Sequence, residues 1–135
     1  MGLEALCARD LMTKKIVVAE RHETLRVAAR RMSEHGIHSL LITPESPTRG
    51  YSILTGKDCI RVIADSGEAA LDELCVEDAM TQPAVTLPAG LCITDCIQLM
   101  RLTGVRTAPI LESERLVGVL TFTDVLSAVT RGEGG

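Results

Sequence analysis

The chain is written twice. CARDLMT at residues 7–13 and CVEDAMT at residues 75–81 share Cys, Asp, Met and Thr in the same order, which fixes an offset of 68 residues. At that offset Leu25, Ala28, Ala29 and Met32 fall on Ile93, Cys96, Ile97 and Met100. The spacing is the i, i+3, i+4, i+7 stripe of an amphipathic helix. Gly36 and Gly104 follow in register, placed to end each helix in the left-handed conformation. Apolar runs at 37–43 and 105–111 then predict buried strands. The polar turns after them are PESPTRG in the first half and ESER in the second, and the longer first turn shortens the offset to 66. Surface turns absorb such insertions best. Second strands at 51–54 and 116–120 run into helices opening at Gly56 and Phe122, backed by Ile60, Val62 and Ile63 and by Val125, Leu126 and Val129.

A unit of about 60 residues buries its apolar surface poorly alone, so the halves are expected to form one domain together. The division reads as repeat 1 at 1–65, a linker at 66–74 (SGEAALDEL) with a helical turn, repeat 2 at 75–131 and a flexible tail at 132–135.

Composition narrows the function. Hydrophobic residues make up 46% of the 135 and aromatic residues 1%, so the core must be aliphatic. With no Trp, a lone Tyr51 and a lone Phe122, the chain has no stacking platform for nucleic acid. Its net charge of -4 comes with scattered basic residues, which excludes a basic groove as well. No apolar run approaches the roughly 20 residues a membrane span needs, the N-terminus lacks a signal pattern, and Leu6 breaks a myristoylation motif. The expectation is a cytoplasmic protein with no membrane partner. Five cysteines, an odd number, fit a reducing compartment. Cys92 and Cys96 lack the CxxC pairing of zinc sites. The repeat register sets Cys92, Cys96 and Cys59 opposite Thr24, Ala28 and Val125, so all five read as packing residues and no metal is expected. No Ser-His-Asp order, HExxH or Walker loop is present, and the chain reads as a protein without catalysis.

One word does carry chemistry. ILTGKD at 53–58 and VLTFTD at 119–124 each end a strand with Thr and place Asp three residues later. One reading is a capping box, Thr and Asp satisfying each other's backbone amides at a helix start. The other is a ligand site, in which the helix N-terminus offers amides to an anion and the acid accepts sugar hydroxyls. Both uses stay open on the sequence. His38, at a strand start, reads either as a ligand contact to a phosphate or base edge or as a partly exposed spacer, while His22 and His35 have no site role.

The full order of elements resembles the cystathionine beta-synthase (CBS) domain. It runs MT, amphipathic helix, HGI (35–37) or TGV (103–105), strand, turn, GVLTFTD-type strand end and helix. Two in tandem resemble a Bateman module, over about residues 7–131. The resemblance implies an α/β fold of two βαββα repeats packed with pseudo-twofold symmetry. It implies an adenosyl ligand, AMP, ADP or ATP ahead of S-adenosylmethionine or NAD, in two clefts between the repeats. Carried over, one cleft joins Thr55 and Asp58 to Thr81, Val85, Val105, Arg106 and Pro109. The other joins Thr121, Thr123 and Asp124 to Thr13, Val17, Ile37, His38 and Leu41. The repeats depart from each other where Gly118 faces Ser52 and Pro109 faces Leu41, so unequal clefts are expected. The Thr55–Asp58 cleft is favoured, since Gly56 allows close approach while Lys57 and Arg106 offer charge to a phosphate. The implied function is a stand-alone regulatory, energy-sensing module signalling to a separate target protein. A homodimer is expected through helix faces carrying Ile60, Ile63, Val125 and Val129. The alternative is a ligand-free dimerisation scaffold.

Overall fold

In a computed structural model, which describes residues 2–46 and 50–131, the chain folds as βαββα twice. The expected tail at 132–135 and the middle of the PESPTRG turn lie outside the described residues. Along the chain a short helix α1 (Ala8–Leu11) precedes β1 (Val18–Ala19), α2 (Leu25–His35), β2 (Ser39–Ile42), β3 (Ser52–Thr55) and α3 (Gly56–Ser66). Short helices α4 (Ala70–Glu73) and α5 (Val76–Ala79) lead into the second copy. It comprises β4 (Leu87–Pro88), α6 (Ile93–Thr103), β5 (Thr107–Glu112), β6 (Arg115–Thr121) and α7 (Phe122–Thr130). Each copy builds a three-stranded sheet, β1-β2-β3 or β4-β5-β6, whose first pair is parallel and second antiparallel.

Local chemistry sets the ends of these elements. The Thr24 hydroxyl accepts from the Val27 amide at 3.2 Å to start α2, and Gly36 at φ 62° stops it. Gly104 at φ 76° does the same for α6. Both angles are costly for any residue with a Cβ. The ESER turn is tight, with Ser113 and Glu114 at φ 50° and 65°. These positive angles match the type I′ geometry whose twist suits a two-residue hairpin.

The sequence repeat and the compact unit are different divisions. One unit comprises residues 17–84, the other 1–16 with 85–135. The leg holding CARDLMT therefore belongs with the second sheet, and the leg holding CVEDAMT with the first. Each is sewn on by main chain. Thr13 and Val119 exchange backbone bonds of 2.8 and 2.9 Å, and Thr81 and Ile53 exchange bonds of 2.8 and 3.1 Å. A short leg cannot satisfy its own amides and carbonyls, so it borrows the free edge of the last strand.

In unit 17–84 the apolar sides of α2 and α3 cover Leu40, Ile42 and Leu54 of the sheet. Residues 66–74 are built into this unit as well, with Ala70 and Leu71 buried. Arg26 grips Asp72 at 2.8 and 2.9 Å and Glu68 at 3.0 Å. In the other unit α6 and α7 cover Ala108, Ile110 and Leu120. Val125, read above as a candidate dimer residue, sits in this core, and Ile63 packs against the core of its own unit. Ile60, Leu126 and Val129 remain 64%, 62% and 53% exposed.

Two tests follow from the fold. A Cβ on Gly118 would stand 2.6 Å from Met12 Sδ and 2.9 Å from the Thr13 carbonyl, whereas its counterpart Ser52 fits but buries a hydroxyl with no partner among the described residues. Urea unfolding should show Gly118→Ala losing about 1–3 kcal/mol by overpacking, while Ser52→Ala is neutral or gains up to about 1 kcal/mol. Equal effects at the two positions would contradict the account. Arg31, by hydrogen bonding, holds the Glu23 carboxyl below its usual range. Stability from a lowered carboxylate is present above its unfolded pKa of about 4.3 and disappears as pH falls through the folded value. Glu23→Gln should flatten that acid limb, measured by melting temperature against pH.

Candidate functional site

The two Thr-x-x-Asp words fold as capping boxes at the junctions of β3 with α3 and β6 with α7. In the first, the Asp58 amide donates to Thr55 Oγ1 at 3.3 Å and the Thr55 amide donates to Asp58 Oδ2 at 2.9 Å. In the second, the Asp124 amide donates to Thr121 Oγ1 at 3.0 Å and the Thr121 amide donates to Asp124 Oδ2 at 2.9 Å. Each carboxylate thus commits one oxygen to the helix start and turns Oδ1 elsewhere. The helix dipole favours both charges at these positions.

What meets Oδ1 differs between the junctions. Asp124 Oδ1 accepts from the Thr13 hydroxyl at 3.0 Å, because the leg bridge to Val119 sets Thr13 beside α7. Asp58 Oδ1 accepts from Arg61 Nη2 at 2.9 Å, one helical turn along α3. Thr81 is bridged to Ile53 as Thr13 is to Val119, yet its hydroxyl meets no carboxylate among the described residues. Asp58 is 3% exposed, Asp124 half-buried. Arg61 lies 59% exposed over the buried acid, a pairing the sequence reading missed. Its signal was the i, i+3 spacing from Asp58.

The amides of a helix start are the expected anion donors, and most of them here are already engaged. The Gly56 amide donates to the His38 carbonyl at 3.0 Å, and the Phe122 amide to the Arg106 carbonyl at 3.1 Å. With the cap amides also used, the first-turn donors without a protein partner among the described residues are those of Lys57 and Thr123. The open N-terminus read from the sequence is therefore one donor wide at each junction.

The structure brings some predicted residues together and distributes others. Unit 17–84 holds Thr55, Lys57, Asp58 and Thr81 along with Val17, Ile37, His38 and Leu41. The other unit holds Thr121, Thr123, Asp124 and Thr13 along with Val85, Val105, Arg106 and Pro109. Lys57, His38, Arg106 and Thr123 are exposed, Val17, Ile37, Val85 and Val105 half-buried, and Leu41 and Pro109 buried. Strand alternation puts Leu41 and Ile53 on the sheet face turned away from the helices, along with Thr55. Pro109, Val119 and Thr121 share the matching face of the second sheet. Beside His38 and Gly56 lies an apolar cavity of about 290 Å³, bounded by Met32, Ile37, Cys59, Ile60, Ile63 and others in the same unit. That is near the lower end of ligand-pocket sizes.

The two junctions should respond differently to loss of a hydroxyl. Thr13→Val removes the bond to Asp124 and is expected to cost about 1 kcal/mol. Thr81→Val keeps its backbone bridge, loses no such bond and should stay within about 0.5 kcal/mol of the parent. Equal losses in denaturant unfolding would refute the asymmetry.

Comparison with known proteins identifies the family and its fold. The CBS domain model matches residues 8–65 and 76–131. Hypoxic response protein 1 of Mycobacterium tuberculosis is 30% identical over 127 residues, covering 87% of this chain and 81% of that protein. An uncharacterized protein of Methanopyrus kandleri is 26% identical over 125 residues; the match covers 92% of this chain and only 63% of that protein's length. Among solved structures, a CBS domain pair in complex with 5′-methylthioadenosine and S-adenosyl-L-methionine superposes with a TM-score of 0.79 at 21% identity. That match covers 95% of this chain and 98% of that one.

Proposed function

The chain belongs to the CBS domain family as a tandem pair, and from that premise we propose that it is a regulatory module that binds an adenosyl ligand at its strand-to-helix junctions. The observation that carries the reading is the composition of each junction. A carboxylate with one oxygen outside the cap stands beside a threonine hydroxyl and a single unpaired helix amide. Each Oδ1 accepts one bond, from Arg61 or Thr13, and keeps a lone pair to spare, so Asp58 and Asp124 can accept ribose hydroxyls without leaving their caps. The Lys57 and Thr123 amides suit one anionic oxygen each. Lys57 in one unit and Arg106 in the other each offer positive charge to a phosphate, which favours AMP, ADP or ATP as ligand. The solved CBS pair holding S-adenosyl-L-methionine and methylthioadenosine supports the adenosyl class.

At Asp58 the ligand competes with Arg61. That pair is solvent-facing on the arginine side, so a sugar hydroxyl can approach and compete for the acid. At Asp124 the ligand joins Thr13, whose hydroxyl can rotate to accept as well as donate. His38, Ile37, Val17, Thr81, Val85, Val105 and Pro109 complete the proposed contacts. The output is a change read by a separate protein, and no catalytic step is assigned to the chain. Among the described residues no helix is long and apolar enough to cross a membrane.

A second reading, a dimerising scaffold with no ligand, draws on Ile60, Leu126 and Val129, which leave apolar surface exposed on α3 and α7. A thermal melt against AMP, ADP, ATP and S-adenosylmethionine separates the two. A ligand at 100 times its dissociation constant adds about 2.7 kcal/mol to the folded state. The sensor reading expects a raised melting temperature that Asp58→Asn or Asp124→Asn abolishes while the variants still fold. No shift with any of the four compounds leaves the scaffold.

A further inference from the structure

We propose that Cys7 and Cys92 form a redox pair that closes to a disulfide under hydroperoxide. The two residues face each other across an antiparallel backbone bridge. The bonds flanking them run from the Ala8 amide to the Leu91 carbonyl and from the Ile93 amide to the Leu6 carbonyl, both 2.9 Å. That is the non-hydrogen-bonded type of cross-strand pair, in which Cα atoms stand about 4.5 Å apart and the side chains leave from the same face. A disulfide needs Cα atoms roughly 4.4–6.8 Å apart, so no main-chain movement is required. Both thiols are free and half-buried. Cys92 Sγ is turned toward Thr94 Oγ1 at 3.3 Å and the Glu4 carbonyl at 3.6 Å, so closure requires rotation about its first side-chain torsion.

The neighbouring thiol is a poor competitor. Cys96 is fully buried, with Sγ 3.7 Å from the Leu91 carbonyl. Burial, followed by the nearby Cys92, pushes its thiol up to about 11, which keeps it protonated and unreactive. The chain also carries its own control. The equivalent bridge in the other unit pairs Cys75 with Thr24, flanked by the same pattern of bonds. The geometry is repeated and the second sulfur is not.

The chemistry balances with a peroxide as oxidant. One thiolate attacks the O–O bond, forming S–O and releasing hydroxide that leaves as water. The second thiolate attacks the sulfenic sulfur, forming S–S and expelling the other oxygen as water. Two thiols lose two electrons and two protons in total, and the peroxide is reduced to two waters. The bond ties the N-terminal leg, including the Thr13 that donates to Asp124, to the start of α6.

Treatment of the whole chain with hydrogen peroxide, followed by non-reducing peptide mass mapping, tests the proposal. The expected result is a Cys7–Cys92 link within one chain, with a melting temperature raised on the order of 10 °C and reversed by dithiothreitol. Cys7→Ser and Cys92→Ser should each abolish link and shift, whereas Cys96→Ala should keep both. Thr24→Cys should acquire a second link, to Cys75. A Cys92–Cys96 link, a link between chains, or sulfinic acid at Cys7 beside an unmodified Cys92 would overturn it.

Discussion

At each strand-to-helix junction one carboxylate is bound from two sides. Its Oδ2 closes the capping box that starts the helix, and its Oδ1 holds a second group, Arg61 or Thr13. The end of the last strand and the start of the last helix are fixed by that residue at both junctions, and at Asp124 it also holds the leg alongside through Thr13. A helix start needs its amides satisfied whether or not a ligand arrives. A ligand needs acceptors that are already oriented, because ordering them on binding costs affinity. Capping and recognition therefore ask for the same geometry, and in the proposed function one acid serves both.

The exchange of legs gives the duplication its structural meaning. Each βαββα repeat is continuous in sequence, but the unit that folds around each core includes the other repeat's leg. The leg adds a threonine to the edge of the last strand, two residues before the capping threonine. Such a residue reaches the junction only because the chain crosses over. Gly118 shows how tightly the arrangement is drawn in the second unit, where Met12 and the Thr13 carbonyl occupy the room a side chain would need.

Much of the fold was legible because it rests on period and punctuation. The apolar stripe from Leu25 to Met32 and the glycine after it predicted α2 and its end, and the repeat carried the same reading to α6. The strand-to-helix words were legible as caps for the same local reason. What the sequence hid was long-range. Nothing in CARDLMT announces that Thr13 will bond Asp124, and nothing local marks Cys7 as the cross-strand partner of Cys92. Residues 66–74 read as a linker because they stand between the two copies of the repeat. Arg26, forty-odd positions earlier in the chain, is what anchors them. The open anion site was overestimated because the carbonyls of His38 and Arg106, which fill the first helix amide in each unit, belong to segments distant in sequence.

In the proposed function the junctions, and not some other surface, receive an adenosyl ligand. Nitrogen-15 amide shift mapping during titration with AMP, ADP and ATP can decide this. The Lys57 and Thr123 amides should move first and furthest, since among the described residues they are the first-turn donors without a protein partner. Saturable shifts that leave both amides still, centred on another part of either unit, would contradict it.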